Sequence, residues 1–551
     1  MKKDRLSVMV GIFVMLTLVL ASCQPQTVEV VKEVPVEVEV EVTRVVEVEA
    51  PETHTYTVSW VSTDVTSFDP HSCYSTDCLT FMRVVYEALV GYKHGTTDLE
   101  GNLAESWEVS DDGLQYTFTL RDGMTFADGS PITAADVVYS TDRLSGMAKG
   151  PSNYLGGVYE NAEAVDDKTV VITTNSPMGP LLSMLPRVFV VNSAVVQEHA
   201  TDDDPWAEDW MYENDAGSGP FVLENWEHGV KLSVVKNLNY WDPARPANID
   251  RYMVLYIAER ATAQLLLEKG DIDGIGFPVV DMLPSFEANP DITVGYHESF
   301  KGMNMIMSNI LPPLDDVKVR EALSYAFDYQ AFVDGIFQGQ AVQAQGPVPY
   351  SMKFHDDSLP IIEHDLDKAS AMLAEAGHAP GTLELEILVI PGYTPWVGTA
   401  QIFQQNLAEI DVDLKILELP WSEIAARGGN PDNPVMMMPI NSFPGYPDPD
   451  TVLYSPFHTS QHGDKGGYNY SYYGSDETDK MIEDARYSTD EAEREEIYKT
   501  IQQRLASDFV YMWLVNETAL SVQRSWVKGF NYDPTWHETY RPDLYVIEGK
   551  P

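Results

Sequence analysis

This sequence is poorest in positive charge and in cysteine. Of its 551 residues, 35 are Lys or Arg against 85 Asp or Glu, a formal net charge of −50. So acidic a chain has no basic footprint with which to displace counterions from nucleic acid, and none for docking on anionic lipid. The charge describes a well-solvated acidic surface; attraction of cationic solutes is the lesser reading, because net charge says little about one pocket. Only three cysteines occur. Cys73 and Cys78 have no second Cys/His cluster to complete the four ligands of a zinc site. A small disulfide loop is preferred over free thiols, as befits a chain outside the cytoplasm. Also missing are a Gly-x-Ser-x-Gly elbow, a His-Glu-x-x-His pair and a phosphate-cradling Gly-Lys-Ser/Thr loop. No catalytic constellation, cofactor or metal is therefore expected. Asp448 and Asp450 are too few for a calcium loop. The twelve histidines are scattered, and His297 is the only one taken as a pocket candidate.

At this length two or three lobes are expected. With 44% hydrophobic residues and 11 Trp, the chain can bury a large core. Lys2, Lys3 and Arg5 open a leader, and Leu6 to Leu20 is largely apolar. That run is shorter than the ~20 residues a spanning helix needs, so it reads as a signal peptide. It ends Leu20-Ala21-Ser22-Cys23, which resembles the bacterial lipobox; the resemblance implies removal of residues 1–22 and a lipid on Cys23. No later run approaches spanning length. Lipid would be the only anchor, on the outer face of the cytoplasmic membrane. Residues 23–53 form a Val/Glu tract whose charge repulsion and Pro35 favour an extended tether over a buried strand. It would reach on the order of 90 Å. A self-pairing β or coiled stalk is the alternative.

From Thr55 the texture is mixed α/β. Strands are expected at Tyr56–Trp60, Tyr116–Leu120, Val170–Thr173 and Val230–Val235, and a helix after Thr133 with Asp136 completing a capping box. Further on, a helix is expected over Asp315–Phe337, with Val319, Ala322, Leu323, Ala326 and Phe327 on one face. Another covers Asp365–Ala376, closed by Gly377. Strands at Leu383–Ile390 and Asp413–Leu419 flank a helix at Val397–Ile410, a β-α-β unit that requires parallel strands. Two helices, Asp476–Tyr487 and Asp490–Leu505, follow.

An ordered series of short stretches resembles the solute-binding protein family 5 of ABC transporters, the oligopeptide-, dipeptide- and nickel-binding proteins. They include Ser67-Phe-Asp-Pro-His71, Tyr86-Glu-Ala-Leu-Val90, Leu103-Ala-Glu-Ser-Trp107, Asp128-Gly-Ser-Pro-Ile-Thr-Ala-Ala-Asp136, Gly217-Ser-Gly-Pro-Phe221, Asn237 to Trp241, Gly270-Asp-Ile-Asp273 and Tyr446-Pro-Asp-Pro449. The resemblance implies an α/β, two-lobed periplasmic-binding-protein fold of type II, in its large cluster with an extra subdomain, and a ligand cleft between the lobes. Lobe I would span 54–310 with a subdomain inserted at about 90–215. Lobe II would span 311–512, and 513–551 would return to lobe I. The hinge would lie near Met303–Asn309, which includes Asn304, and near Trp513–Ala519. Hinge closure on a solute would present a surface to ABC permease subunits. A monomer is expected.

Two departures bear on the solute. Family members that bind a free amino terminus carry an aspartate four residues before the last proline of the Asp-Pro element; here that residue is Gly445. Dipeptide binders carry an arginine early in the helix after the first lobe-II strand, and Pro395 to Thr399 holds none. Tyr393, Trp396, Phe443 and Tyr446 remain as aromatic pocket candidates, with Asp448 placed first in a structural turn and second as a ligand contact. Aromatic faces suit a backbone-bound peptide, an apolar solute or a sugar ring. The reading is an oligopeptide-import receptor, not an enzyme. The alternatives are an oligosaccharide receptor and a ligand-sensing ectodomain; a surface hydrolase is disfavoured by the missing constellation.

Overall fold

In the computed structural model the described residues are 54–61, 64–530, 532–536 and 541–550. The leader, Cys23 and the Val/Glu tract lie outside them. Two mixed sheets organise the body. In the first the order is Phe221–Glu227, Lys231–Lys236, Arg251–Tyr256, Thr55–Trp60, Gly274–Ile275, Ala519–Arg524 and Ile292–His297. In the second it is Ala341–Gln343, Tyr511–Glu517, Gly302–Met307, Met437–Ser442, Glu384–Val389 and Asp413–Glu418. Each sheet has its own apolar core, and the chain forms the two-lobed mixed α/β fold. Thr55–Trp60 lies mid-sheet with parallel neighbours on both sides, so all but its first residue are buried. Glu384–Val389 and Asp413–Glu418 pair in parallel across the helix Thr394–Glu409.

A third, antiparallel sheet of Ala104–Val109, Gln115–Leu120, Thr169–Thr174 and Tyr159–Ala164 has a separate core with the helix Ala134–Met147. Asp136 accepts from Thr133 N and Thr133 Oγ1, both at 2.9 Å, at the start of that helix. The pair Glu87–Ala88 and Phe189–Val190 closes this insertion. Phe189, Val191, Val196 and Met211 pack in the core of the first lobe, while Asn192 and Ser193 bond to Asp128, Ser130 and Asp136 of the inserted subdomain.

Two element boundaries differ from expectation. Gly302–Met307 and Tyr511–Glu517 pair with each other in the second sheet, so the lobes are joined by Glu298–Lys301 and Thr518. The helix expected over Asp315–Phe337 is two helices, Val317–Ala326 and Tyr329–Ile336. Asp328 breaks it: its carboxylate accepts Ala331 N at 2.9 Å as an N-cap, while Phe327 is extended. The apolar stripe continued through the break because both helices face the same core.

Several motif runs meet in buried polar knots. The Arg143 guanidinium, fully buried, donates to Asp69 Oδ1 at 2.8 Å and Oδ2 at 2.7 Å, and lies 3.0 Å from His71 Nδ1. Glu87 accepts from Ser218 Oγ, Tyr240 Oη and Trp241 Nε1 at 3.0, 3.0 and 2.6 Å. Burial raises its pKa against those bonds.

Candidate functional site

The second sheet alternates between core and cleft. Met303, Met305 and Met307 are fully buried on one face, while Asn304, between them, is partly exposed on the other. Asn304 stands opposite Ile440 and Trp513, with a register shift between Met303 and Asn304. Bulges of this kind re-aim a side chain beside a site. A cavity of about 370 Å³ opens on this face. Its floor is Asn304, Ile306, Tyr511 and Trp513. Its walls are Ile440–Phe443, Trp421, Tyr468, Tyr470 and the turn of helix from Thr451 to Phe457. Trp421, Phe443 and Tyr468 are exposed at its mouth. Among the described residues no Asp, Glu, Lys, Arg or His lines it.

The polar groups divide into used and available. Asn441 Oδ1 accepts Trp396 Nε1 at 2.8 Å, and its amide nitrogen approaches Glu517 Oε1 at 3.4 Å. Among the described residues the side chains of Asn304, Ser442 and Ser455 make no hydrogen bond, which leaves them for a solute. Lys301 Nζ lies 3.3 Å from Glu517 Oε2 and 5.8 Å from the centre of the Phe443 ring. The two inter-lobe passages are stitched together here: Ser299 Oγ donates to Glu517 O at 2.5 Å, and Glu517 N to Lys301 O at 2.9 Å.

Asn304 and Phe443 reach the cavity. Trp396 does not line it, but is buried behind it, holding Asn441 and lying 6.5 Å from the Trp421 ring. Tyr393 caps the helix Thr394–Glu409 and sits 6.1 Å from Trp396. Gly445 does not line the cavity but bonds to its wall: its N–H donates to Thr451 Oγ1 at 2.9 Å, and Tyr154 of the inserted subdomain faces it. Tyr446 and Asp448 do not line the cavity. Tyr446 packs into the core of the inserted subdomain and donates to Asp450 Oδ2 at 2.6 Å. Asp448 is fully buried, accepting Arg494 Nη2 at 2.8 Å and Tyr498 Oη at 3.2 Å. A carboxylate so enclosed is held by the cations beside it, here Arg494 and, at 3.5 Å, Lys353 Nζ. Asp450 pairs in the same way with Arg486. His297 lies in the first sheet, 3.0 Å from Ser521 Oγ and stacked on Tyr532, and does not line the cavity. Cys73 and Cys78 are disulfide-bonded, Cα atoms 5.8 Å apart, beside Tyr74, whose ring lies 5.6 Å from Tyr154.

Reasoning from sequence missed Trp421, Tyr468, Tyr470 and Tyr511 as pocket residues. The alternation Tyr511-Met512-Trp513 could have marked one aromatic strand face. Tyr468 and Tyr470 lie in a loop, where no period exists to read. A larger recess of about 490 Å³ also touches Tyr511 and Trp513. Its polar side chains are already committed, Gln345 Nε2 to Leu359 O at 2.9 Å and Gln503 Nε2 to Asp356 Oδ2 at 2.7 Å. The smaller cavity, with free polar groups beside the hinge, is the better site.

Residues 98–464 match the family model of bacterial extracellular solute-binding proteins, family 5 Middle. A probable D,D-dipeptide-binding periplasmic protein of Escherichia coli (strain K12) is 32% identical over 87% of this chain and 91% of its own. A dipeptide-binding protein of the same organism is 28% identical over 82% of this chain and 87% of its own. Among solved structures, an ABC transporter-associated periplasmic binding protein from Helicobacter pylori in complex with peptide STSA superposes with a TM-score of 0.77. It is 25% identical, over 90% of this chain and 99% of that one.

Proposed function

The chain belongs to the bacterial extracellular solute-binding proteins of family 5, and from that premise we propose that it is the extracytoplasmic receptor of an ABC importer for an oligopeptide-like solute. The solute lies between the lobes on the face that carries Asn304, Phe443 and Trp513, with Trp421 and Tyr468 at the mouth. One observation carries this reading: an aromatic cavity with unbonded amide and hydroxyl groups, set against the two passages that join the lobes. Aromatic faces hold apolar side chains while the few polar groups orient a backbone. Glu298–Lys301 and Thr518 act as the hinge. Greater affinity for the closed state is all that transport requires of the receptor, so it binds and releases without turnover. Cys23 carries the lipid that anchors a monomer outside the membrane, and residues 23–53 hold it off the surface. The uncharged lining also suits sugar rings, which makes an oligosaccharide the second reading.

Native mass spectrometry of the detergent-solubilised chain, followed by thermal shift with peptide and oligosaccharide panels, tests this. A solute at about 100 times its Kd adds roughly 2.7 kcal/mol of stability. Co-purified peptides and matching shifts support the peptide receptor. Shifts with oligosaccharides alone replace it by the second reading, and no shift with either panel overturns both.

A further inference from the structure

The electrostatics of the cavity narrow the solute further, on the premise that the receptor takes peptides. A bound α-ammonium needs a carboxylate or several acceptors, because an unpaired cation out of water is costly. Among the described residues no carboxylate lines the cavity. Three carboxylates of the segments around it are engaged: Asp448 with Arg494, Asp450 with Arg486, and Glu517 with Lys301. Asp448 and Asp450 are moreover fully buried behind the cavity wall. Lys301, the cation beside Phe443, adds nothing that would attract an ammonium. At the cavity edge, where Gly445 meets Thr451, there is room for an acid and none is present.

We propose that this receptor selects peptides whose amino end is uncharged, such as N-acylated, lactam-ended or cyclic peptides, and discriminates against free α-ammonium peptides. The capping group lies on the aromatic wall of Trp421, Phe443 and Tyr468, and the Asn304 amide bonds the first peptide carbonyl. Selection then runs opposite to the protein's bulk charge of −50, which draws cations to its surface but supplies no partner inside.

The test is competition by native mass spectrometry on the detergent-solubilised full chain, using one synthetic tetrapeptide library in two forms, free-amino and N-acetylated, at pH 7. The acetylated form is expected to be retained at least tenfold more strongly. Equal or stronger retention of the free form overturns the inference and leaves the peptide receptor standing. Retention of neither form overturns the peptide reading as well. Gly445→Asp supplies the missing acid. Gly445 does not use left-handed backbone, and a Cβ there meets Thr451 Oγ1 at 3.6 Å and Tyr154 Cε1 at 3.7 Å, ordinary contact. G445D is expected to gain at least tenfold for the free form and to lose the preference for acetyl. If G445D does not fold, Thr451→Asp on the same wall replaces it. A folded variant with unchanged preference overturns the inference.

Discussion

At the scale of single residues, the strongest stability statement concerns the knot of Asp69, His71 and Arg143. Burial, reinforced by the Arg143 guanidinium, lowers the His71 pKa from 6.5 to about 4. As pH falls, the unfolded chain therefore takes up this proton before the folded one. The stability His71 contributes is complete above about pH 6.5, declines as pH falls from there towards about 4, and is level below. Between pH 7.5 and 4.5, H71N should lose roughly 2 kcal/mol less than the parent chain, read from urea midpoints. Equal losses would mean that the ring is already charged in the folded state. Arg143→Met strands a buried carboxylate with no cation, and should lower stability by about 3–5 kcal/mol. Asp69→Asn in the same chain should restore much of that loss. Gly445 belongs to this scale too: one missing side chain, visible in sequence, leaves the position beside Thr451 without a charge. Which other carboxylates could substitute was not visible, because the pairing of Asp448 and Asp450 with arginines 46 and 36 residues later is a product of folding.

At the scale of elements, most strands and helices could be read from periodicity and caps. The N-cap at Asp365, the left-handed Gly377 and the capping pair at Thr133 all stand where their residue types require. Asp328 shows the limit. Its N-cap bond splits one expected helix into two, and Asn406 Oδ1 accepts the Asp328 N–H at 3.0 Å to hold the break. D328A should cost about 1 kcal/mol with little change in far-UV circular dichroism. A markedly more helical spectrum would instead mean that the cap, and not the packing of Phe327, keeps the two helices apart. The aromatic floor of the cavity is also an element property. Asn304 faces the cavity because the strand alternates and its register shifts there, with Met303 and Met305 locked in the core on the other face.

At the scale of the whole molecule, the lobes touch beyond the hinge. Arg486 Nη2 donates to Gly156 O at 3.1 Å, Gly179 N to Arg486 O at 2.9 Å, and Tyr446 of the second lobe packs into the core of the inserted subdomain. Removing the Tyr446 ring should favour the open state. Y446A is expected to enlarge the radius of gyration without solute, measured by small-angle scattering, and to weaken retention of the preferred peptide by about tenfold, as a less populated closed state requires. An unchanged radius together with unchanged affinity would show that this contact does not hold the lobes together. Much of this architecture was legible beforehand. Period-two and period-3.6 patterns, caps and turn residues act over a few neighbours, so the sequence by itself determined the α/β class and most elements. Its ordered motif runs determined the family, and its composition determined the acidic surface. The tertiary structure alone decided which residues join the two sheets, and that Trp421, Tyr468, Tyr511 and Trp513 converge on Asn304. Those outcomes rest on pairing between segments far apart in the chain, as in Gly302–Met307 against Tyr511–Glu517, and no local pattern in a chain encodes which distant partner its free edge will find.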